Sequence, residues 1–309
     1  MSKLVAIVGA TGFQGGSVLK TLYGSGNYKL RAITRDPSSD KAQALAKQYP
    51  GIELVRANLD DFDSLRQAFD GADTVFGMTD FNPVLIAKAQ SSEDYAEYAQ
   101  GKNIVDAAIA AGVKTLIYSG MYSLAESSNG KYTHAYQFES KHRVVQYLRS
   151  KSDAIDGFVI YLGFYMDNYT RYSRISPEDG ETVEFVIPLK PTTVVPLVDT
   201  ANDTGPVVEY ILEHPEECRG IPVVVTGGYF EVQEMVKAFA KVTGKPARYV
   251  QLPYKSIQLE AIRDMAQGQE EFGYFNYSDK SPVRKEKMDY KFTTPVEFWE
   301  NSKWTGPAN

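Results

Sequence analysis

The 309-residue chain has few of the residues that form disulfides and metal sites. Cys218 is its only cysteine, so no disulfide can form within the chain, which suits a reducing compartment. The three histidines are widely separated, and their spacing matches no metal-ligand motif. The sequence therefore predicts no metal site.

Long apolar runs and basic runs are also missing. No apolar stretch approaches the roughly 20 residues that a membrane-spanning helix needs. The net charge is −6 and no run is rich in lysine or arginine, which argues against direct binding of nucleic acid. Because a predicted strand begins at once, we expect no cleavable targeting segment. These absences predict a cytoplasmic protein, with entry into the nucleus left open, that binds neither membrane nor nucleic acid.

The most informative stretch lies near the start, where an apolar run meets three glycines. Residues 4–8 are all apolar, which is typical of a strand buried on both faces, and a helical pattern follows from Val18. Between them stand Gly9, Gly12 and Gly15. Glycine permits a sharp turn and a close ligand approach, and the helix start offers N–H groups to a pyrophosphate. The stretch predicts a dinucleotide site, the alternative being a tight turn without ligand. The predicted contacts are Gly9, Thr11, Gly12, Phe13, Gln14 and Gly15.

Strands and helices alternate through the first half of the chain. Strands are predicted at 3–8, 28–34, 52–56, 73–77, 113–119 and 155–161, with helices between them. This alternation predicts an α/β fold with a doubly wound parallel sheet. After residue 162 the pattern loosens into shorter elements. We therefore expect a dinucleotide-binding domain over residues 1–161 and a smaller C-terminal α/β lobe over residues 162–309.

The end of the second predicted strand bears on the choice of cofactor. An acidic residue at this position binds a ribose 2′-hydroxyl, whereas an arginine favours a 2′-phosphate. The chain has Arg35, whose planar guanidinium can make a bidentate phosphate contact, so NADP(H) is predicted over NAD(H). Asp36 is the counter-argument, because it would repel the phosphate if it pointed inward.

Further candidate residues follow the third and fourth strands, at the edge where a cofactor would lie. We expect Leu59 and Asp60 beside the adenine, and Asp61 as the cap of the next helix. Thr79 occupies the usual crevice position after the fourth strand. Phe81 is a candidate wall on the nicotinamide side, with ordinary loop packing as the alternative.

A series of motifs, in order and spacing, resembles the NmrA-like family of atypical short-chain dehydrogenases/reductases. These motifs lie at residues 9–16 (GATGFQGG), 34–37 (TRDP), 100–103 (QGKN), 118–120 (YSG), 138–141 (FESK), 165–168 (YMDN) and 195–199 (VPLVD). The resemblance implies a Rossmann-type domain that binds NADP(H), with a small C-terminal lobe. It also implies that Tyr165 and Asn168 lie near the cleft, the alternative for Asn168 being a helix cap.

The same resemblance bears on catalysis. Short-chain dehydrogenases use a Tyr-x-x-x-Lys pair, in which the lysine binds the nicotinamide ribose and the tyrosine exchanges a proton. Lys141 matches the lysine, but Gln137 stands at the position of the tyrosine and has no acid–base chemistry. Tyr136 lies five residues before Lys141, about 140° around the helix, and cannot replace the missing tyrosine.

Two functions therefore stay open. The first, which we favour here, is a redox sensor or regulator that binds NADP(H) and a protein partner such as a transcription regulator. The second is an NADPH-dependent oxidoreductase that reduces a quinone, enone, imine or similar aromatic or carbonyl molecule, with Lys141 as proton donor or only as a ribose ligand. The aromatic segment 272–304 is either the wall of a substrate pocket or the core of the small lobe.

Overall fold

A computed structural model describes residues 2–92, 95–275, 283 and 285–307. The strands are β1 (Lys3–Val8), β2 (Tyr28–Thr34), β3 (Glu53–Arg56), β4 (Thr74–Gly77), β5 (Thr115–Gly120), β6 (Asp156–Leu162), β7 (Phe164–Tyr165), β8 (Ser173–Ile175), β9 (Val183–Ile187), β10 (Val194–Val198), β11 (Val223–Val225), β12 (Gly228–Glu231) and β13 (Ala247–Gln251). The α-helices are α1 (Phe13–Ser25), α2 (Asp40–Gln48), α3 (Phe62–Phe69), α4 (Pro83–Ile86), α5 (Ala96–Ala110), α6 (Leu124–Ser127), α7 (Tyr136–Arg149), α8 (Asn168–Arg171), α9 (Thr204–Glu213), α10 (Pro215–Cys218), α11 (Glu234–Thr243), α12 (Glu260–Phe272) and α13 (Pro295–Ser302). Tyr254–Ser256 and Lys285–Lys287 form short 3-10 helices.

The main sheet confirms the predicted doubly wound parallel architecture. Within the described residues, seven parallel strands lie in the order β11-β6-β5-β4-β1-β2-β3. The chain winds outward from β1 in one direction to β3 and then restarts at β4 on the other side. Such a reversal opens a crevice at the carboxyl ends of the strands, which is where α/β proteins of this kind bind their ligands.

Apolar helices cover both faces of this sheet. Successive strand residues point to opposite faces, so Val5 and Ile7 pack in the layer that contains α1 and α9, while Ala6 and Val8 face α3, α5 and α7. Gly205 lets α9 approach α1 closely, since a Cβ there would lie 2.3 Å from the carbonyl oxygen of Ser17. Both faces of β1 are therefore buried, as its unbroken apolar sequence predicts.

The second half of the chain builds two small sheets and also returns to the main one. Within the described residues, the strand orders of the small sheets are β12-β10-β7 and β13-β9-β8. Strand β11 instead pairs with β6 at the edge of the main sheet, and α9 packs on α1. The division at residue 161 stays a prediction, because residues from both sides of it contribute to the sheet layers.

Several predicted element boundaries shift for local reasons. The sequence pattern predicts a helix from near Pro37, but α2 begins at Asp40, because the Ser39 side chain accepts a hydrogen bond from the Ala42 N–H and caps the helix. Asp61 caps α3 as predicted, accepting from the Ser64 N–H at 3.1 Å. The sequence pattern predicts loops through residues 82–83 and 123–130, but the short helices α4 and α6 form there.

Candidate functional site

The turn between β1 and α1 requires glycine at two positions for different reasons. Gly9 has a φ of +68°, a left-handed conformation that side chains other than glycine rarely adopt. At Gly15 the reason is a close approach, because a Cβ would lie only 2.4 Å from the carbonyl oxygen of Gly9. The Gly12 N–H donates to that same oxygen at 2.9 Å and closes the turn.

The N-terminus of α1 is suited to an anion. Gly12 stands at the N-cap, so no side chain hydrogen-bonds the first N–H groups from that position, and no acidic residue lies in the first turn. The N–H groups and the helix dipole together favour a negative charge here. The turn and the helix start therefore fit the pyrophosphate of a dinucleotide.

A cleft of about 240 Å³ opens at the carboxyl ends of β1, β2, β3 and β4. Seven of the residues predicted to bind cofactor line it: Gly9, Thr11, Gly12, Arg35, Leu59, Asp60 and Thr79. The lining also includes Ile33, Asn58, Met78 and Gln100, which the sequence did not single out. Residues from four separate turns thus share one cavity.

The other predicted contacts are not among the residues that line this cleft. Gln14 Nε2 donates to the Tyr165 hydroxyl at 2.8 Å, and burial raises the pKa of Tyr165 to about 12. Phe13 is 49% exposed, with the Arg171 guanidinium 5.9 Å from its ring centroid. Asn168 is the first residue of α8 and Asp167 its N-cap, so the interpretation of Asn168 as a cap is wrong.

Phe81 follows the cleft-lining Asp80 but does not itself line the cleft. Its side chain is 46% exposed, and it lies in the turn before α4 together with the exposed Val84 and Leu85 of that helix. This position differs from that of a wall packed inside the cavity. The role predicted for Phe81 on the nicotinamide side stays a prediction.

Arg35 presents the positive charge of the cleft. Its Nη1 lies 3.6 Å from Asp80 Oδ2, and the two side chains are 80% and 60% exposed. An ion pair this exposed contributes little to stability, so a phosphate can replace the carboxylate as the partner of Arg35 at a small cost in free energy. Asp36 does not line the cleft: its carboxylate accepts from the Ser38 N–H and hydroxyl, and these bonds lower its pKa.

Helix α5 holds two of the cleft-lining turns in place. Gln100 Nε2 donates to Asp60 Oδ1 at 3.0 Å, and its Oε1 accepts from the Asp80 N–H at 3.4 Å. One turn along, Asn103 Nδ2 donates to the carbonyl oxygen of Leu59 at 2.9 Å. The amides of α5 therefore fix the turns after β3 and β4 relative to each other.

Beneath the cleft, a buried carboxylate holds Lys141. Glu97 is fully buried, and its Oε1 accepts from both Lys141 Nζ and the Thr79 hydroxyl, the latter at 2.8 Å. The Lys141 side chain is only 17% exposed. Burial lowers the pKa of Lys141 to about 7, and the carboxylate of Asp80 acts in the opposite direction. Since Thr79 lines the cleft, its hydroxyl connects the cavity to the Glu97–Lys141 ion pair.

Close packing of two helices brings this pair together. A Cβ on Gly101 of α5 would lie 2.2 Å from Cγ2 of Val144 on α7, so only glycine permits this approach. Glu97 lies one turn before Gly101, and Lys141 lies one turn before Val144. Glu97 was not among the predicted site residues, although its spacing from Gly101 on the buried face of α5 is a helical signal that could have located it.

The residue at the position of the missing tyrosine bonds to α12 rather than to this pair. Gln137 Nε2 donates to the Met265 sulfur at 3.3 Å and to the Ala261 carbonyl at 3.5 Å, both on α12. Tyr136 donates its hydroxyl to the carbonyl oxygen of Gln90. Neither residue shares a described hydrogen-bonding partner with Lys141.

Comparisons with known proteins agree with this architecture. A model of the NmrA-like family matches residues 1–299. The chain belongs to the NmrA-like family. A relative from Penicillium ochrochloron, the NmrA-like family domain-containing oxidoreductase ptmS, is 32% identical over 259 residues, which are 80% of this chain and 75% of that protein.

Solved structures show where this NmrA-like fold recurs. A mutant of NmrA has a TM-score of 0.76 at 24% identity, over 96% of this chain and 94% of that one. NmrA, described as a negative transcriptional regulator, has also been solved in complex with NAD and with NADP. The Escherichia coli quinone oxidoreductase QOR2, solved with NADPH, has a TM-score of 0.71 at 20% identity, covering 97% of this chain and 99% of that one.

The aromatic residues near the C-terminus of this NmrA-like chain join the protein core. Tyr274 is buried and packs at 6.3 Å between ring centroids against both Tyr122 and Phe138, and Phe275 stacks on Tyr161. Trp299 is also buried in the core cluster. Tyr274 and Phe275 thus pack on residues before 162 rather than within the small lobe alone, as the core interpretation predicts, and Tyr277 lies outside the described residues.

Two observations bear on the predicted absences. His134 Nδ1 lies 3.0 Å from Asp264 Oδ2, and its Nε2 lies 3.9 Å from Glu260 Oε2, a grouping that can hold a metal ion. The sequence spacing could not show this grouping, because His134 and Asp264 are 130 residues apart. Among the helices described here, none has the length and apolar character that crossing a bilayer requires.

Proposed function

We propose that this NmrA-like protein binds NADP(H) and uses it to reduce a small electron-poor molecule. The observation that carries the proposal is the buried Lys141, which Glu97 holds and which the Thr79 hydroxyl connects to the cleft, and burial lowers the pKa of this lysine to about 7. A general acid works best when its pKa lies near the working pH. The relative ptmS bears the name oxidoreductase, which supports a reductase over a protein that only binds the cofactor.

The cleft residues fit the parts of a phosphorylated dinucleotide. The glycine turn and the start of α1 would hold the pyrophosphate, and Leu59 and Asp60 would lie beside the adenine. Arg35 would bind the 2′-phosphate, which requires only that it leave its exposed pair with Asp80. This arrangement supports NADP(H) over NAD(H), because Asp36 is held by Ser38 outside the lining of the cleft.

The chemistry divides between cofactor and chain. Bound NADPH supplies a hydride to an electron-poor carbon. Lys141 supplies the proton that completes the reduction and regains one from solvent. A quinone, enone, imine or aromatic carbonyl compound has the required electron-poor centre. The alternative role for Lys141 is to bind the nicotinamide ribose without donating a proton.

A second candidate is a redox sensor or regulator. It is favoured by Gln137 in place of the usual tyrosine, and by the exposed apolar side chains of Phe81, Val84 and Leu85 beside Asp80 at the cleft mouth. A protein partner bound there would detect the cofactor if binding altered this turn. The description of NmrA as a negative transcriptional regulator supports the same idea.

The deciding experiment measures NADPH oxidation against a panel of quinones, enones, imines and aldehydes, with cofactor binding followed in parallel. Turnover well above the rate without protein, for at least one class, supports the reductase. Tight binding of NADPH without turnover across the panel would overturn it and favour the regulator.

A further inference from the structure

We propose that Glu97 is a positioning residue for Lys141: its carboxylate holds the ammonium group beside Thr79 and keeps it protonated. The kinetic part of this inference rests on the proposed reductase function. The structural part concerns only the protonation of Lys141 and can be tested without turnover. Glu97 acts through Lys141 and Thr79.

The contacts of Glu97 support this role. Its Oε1 receives two donors, Lys141 Nζ from α7 and the Thr79 hydroxyl at 2.8 Å from the turn after β4. A shared acceptor fixes the ammonium relative to a residue that lines the cleft. Glu97 Oε2 is buried and has no hydrogen-bond partner among the described residues. A buried acceptor left unpaired is costly, so a retained carboxylate here points to use of its charge.

The other titratable groups near Lys141 are weaker candidates for this role. Asp80, after β4, raises the pKa of Lys141 but is 60% exposed, so water screens its charge. Tyr118 on β5 reaches the pair only through Thr79, at 3.5 Å, and burial raises its pKa so far that it stays neutral. On α7 itself, His142 faces Glu126 at 3.5 Å. Glu97 is the buried carboxylate in direct contact.

The direction of the effect follows from the charges. Burial removes water from Lys141 and favours the neutral amine, whereas a carboxylate in contact favours the ammonium. Replacing Glu97 by glutamine keeps the shape and removes the charge, so Lys141 should lose its proton at a lower pH. In turnover, Lys141 passes its proton to the substrate as the hydride arrives, and a lysine that is already neutral has no proton to give.

The first test is a ¹³C NMR titration of Lys141 in the full-length protein labelled at lysine Cε, without cofactor. The Lys141→Arg variant assigns the signal by its loss. We expect Glu97→Gln to lower the titration midpoint by about one pH unit or more, a tenfold loss of proton affinity. The matched control is Asp106→Asn, which removes a carboxylate from the same helix that pairs with Lys102 rather than Lys141, and it should leave the midpoint unchanged.

An unchanged or higher midpoint in Glu97→Gln would overturn the proposal. If that variant does not fold, Glu97→Asp, which keeps the charge but shortens its reach, serves instead. Its midpoint should lie below the wild-type value, and an equal value would again contradict the assignment.

The second test is the pH profile of kcat/KM with an acceptor found by the panel. A proton donor must be protonated, so the rate should fall as the pH rises through the pKa of Lys141, and this limb should move to lower pH in Glu97→Gln. If the role of Glu97 is purely structural, Glu97→Gln should lower the melting temperature without moving the high-pH limb of the kcat/KM profile. That result would also overturn the proposal. If the wild-type protein turns over no acceptor, the reductase function fails, while the NMR titration still decides the role of Glu97.

Discussion

The proposed nucleotide-binding end of the cleft and the buried Glu97–Lys141 ion pair beneath it are built in opposite ways. At the nucleotide end, backbone N–H groups and the exposed Arg35–Asp80 pair lie open to water. Beneath it, Glu97 and Lys141 are withdrawn from water between two tightly packed helices. An open site that offers helix N–H groups and an arginine suits the reversible capture of phosphates, whereas a dry site changes the pKa of a lysine. The difference separates binding from proton transfer, and each can be disrupted independently.

The largest effect should come from the lysine. We expect Lys141→Met to lower kcat/KM by about 100-fold or more, since it removes the proton donor, while the affinity for NADPH changes little. Steady-state kinetics and calorimetry measure the two effects. A loss of NADPH affinity with kcat unchanged would instead show a ribose ligand. Because the single variant leaves Glu97 without a counter-charge, the double variant with Glu97→Gln, which has no buried charge at this site, checks that any loss is not due to misfolding.

Disrupting the glycine turn between β1 and α1 should weaken cofactor binding. The Gly15→Ala variant should weaken NADPH binding by about 100-fold, or about 2.8 kcal/mol, because its Cβ meets backbone that cannot move without opening the turn. Calorimetry measures the loss. The control is Gly24→Ala in the same helix, where no atom lies within 4 Å of the added Cβ. Equal affinities in wild type and Gly15→Ala would contradict the proposed pyrophosphate site.

The contact between α5 and α7 can be tested without any ligand. We expect Gly101→Ala to lower the free energy of unfolding by about 1–3 kcal/mol, because its Cβ overlaps Val144. Urea denaturation measures the change. Adding Val144→Ala should recover part of the loss, since it removes the overlapping methyl groups, whereas purely additive losses would show that the two positions are not coupled.

The smallest effect should be the most selective. The Arg35→Ala variant should weaken NADPH binding by about tenfold, or about 1.4 kcal/mol, and leave NADH binding nearly unchanged. Calorimetry with both cofactors measures the ratio. Arg56→Ala, which removes an arginine from the end of β3, is the control, because Arg56 does not line the cleft. Equal losses of both cofactors would reject the contact with the 2′-phosphate.

The sequence predicts features that depend on neighbouring residues, but it does not predict contacts between residues that are far apart in the chain. The strand at Lys3–Val8, the glycine turn and the Asp61 cap depend on residues close together in the chain, so their patterns are visible in the sequence. Glu97 and Lys141 are 44 residues apart, and their contact depends on how α5 and α7 pack. The pairing of β11 with β6 likewise requires the chain to return after the small sheets, which no local pattern encodes.

The site residues show the same limit. Gly9, Arg35 and Thr79 were predicted from their positions at strand ends, and the parallel sheet brings them to one cleft. Gln100 was noticed only as part of a motif, because its bond to Asp60 spans 40 residues. Contacts between a helix side chain and a turn that is distant in sequence are therefore visible only in the three-dimensional structure, and sequence spacing does not predict them.

The central claim, that the cleft binds a phosphorylated nicotinamide dinucleotide, is tested most directly by calorimetric titration of the wild-type protein with NADPH and with NADH. The account predicts saturable heat from both cofactors and tighter binding of NADPH. The absence of binding heat from either cofactor at millimolar concentration would contradict it.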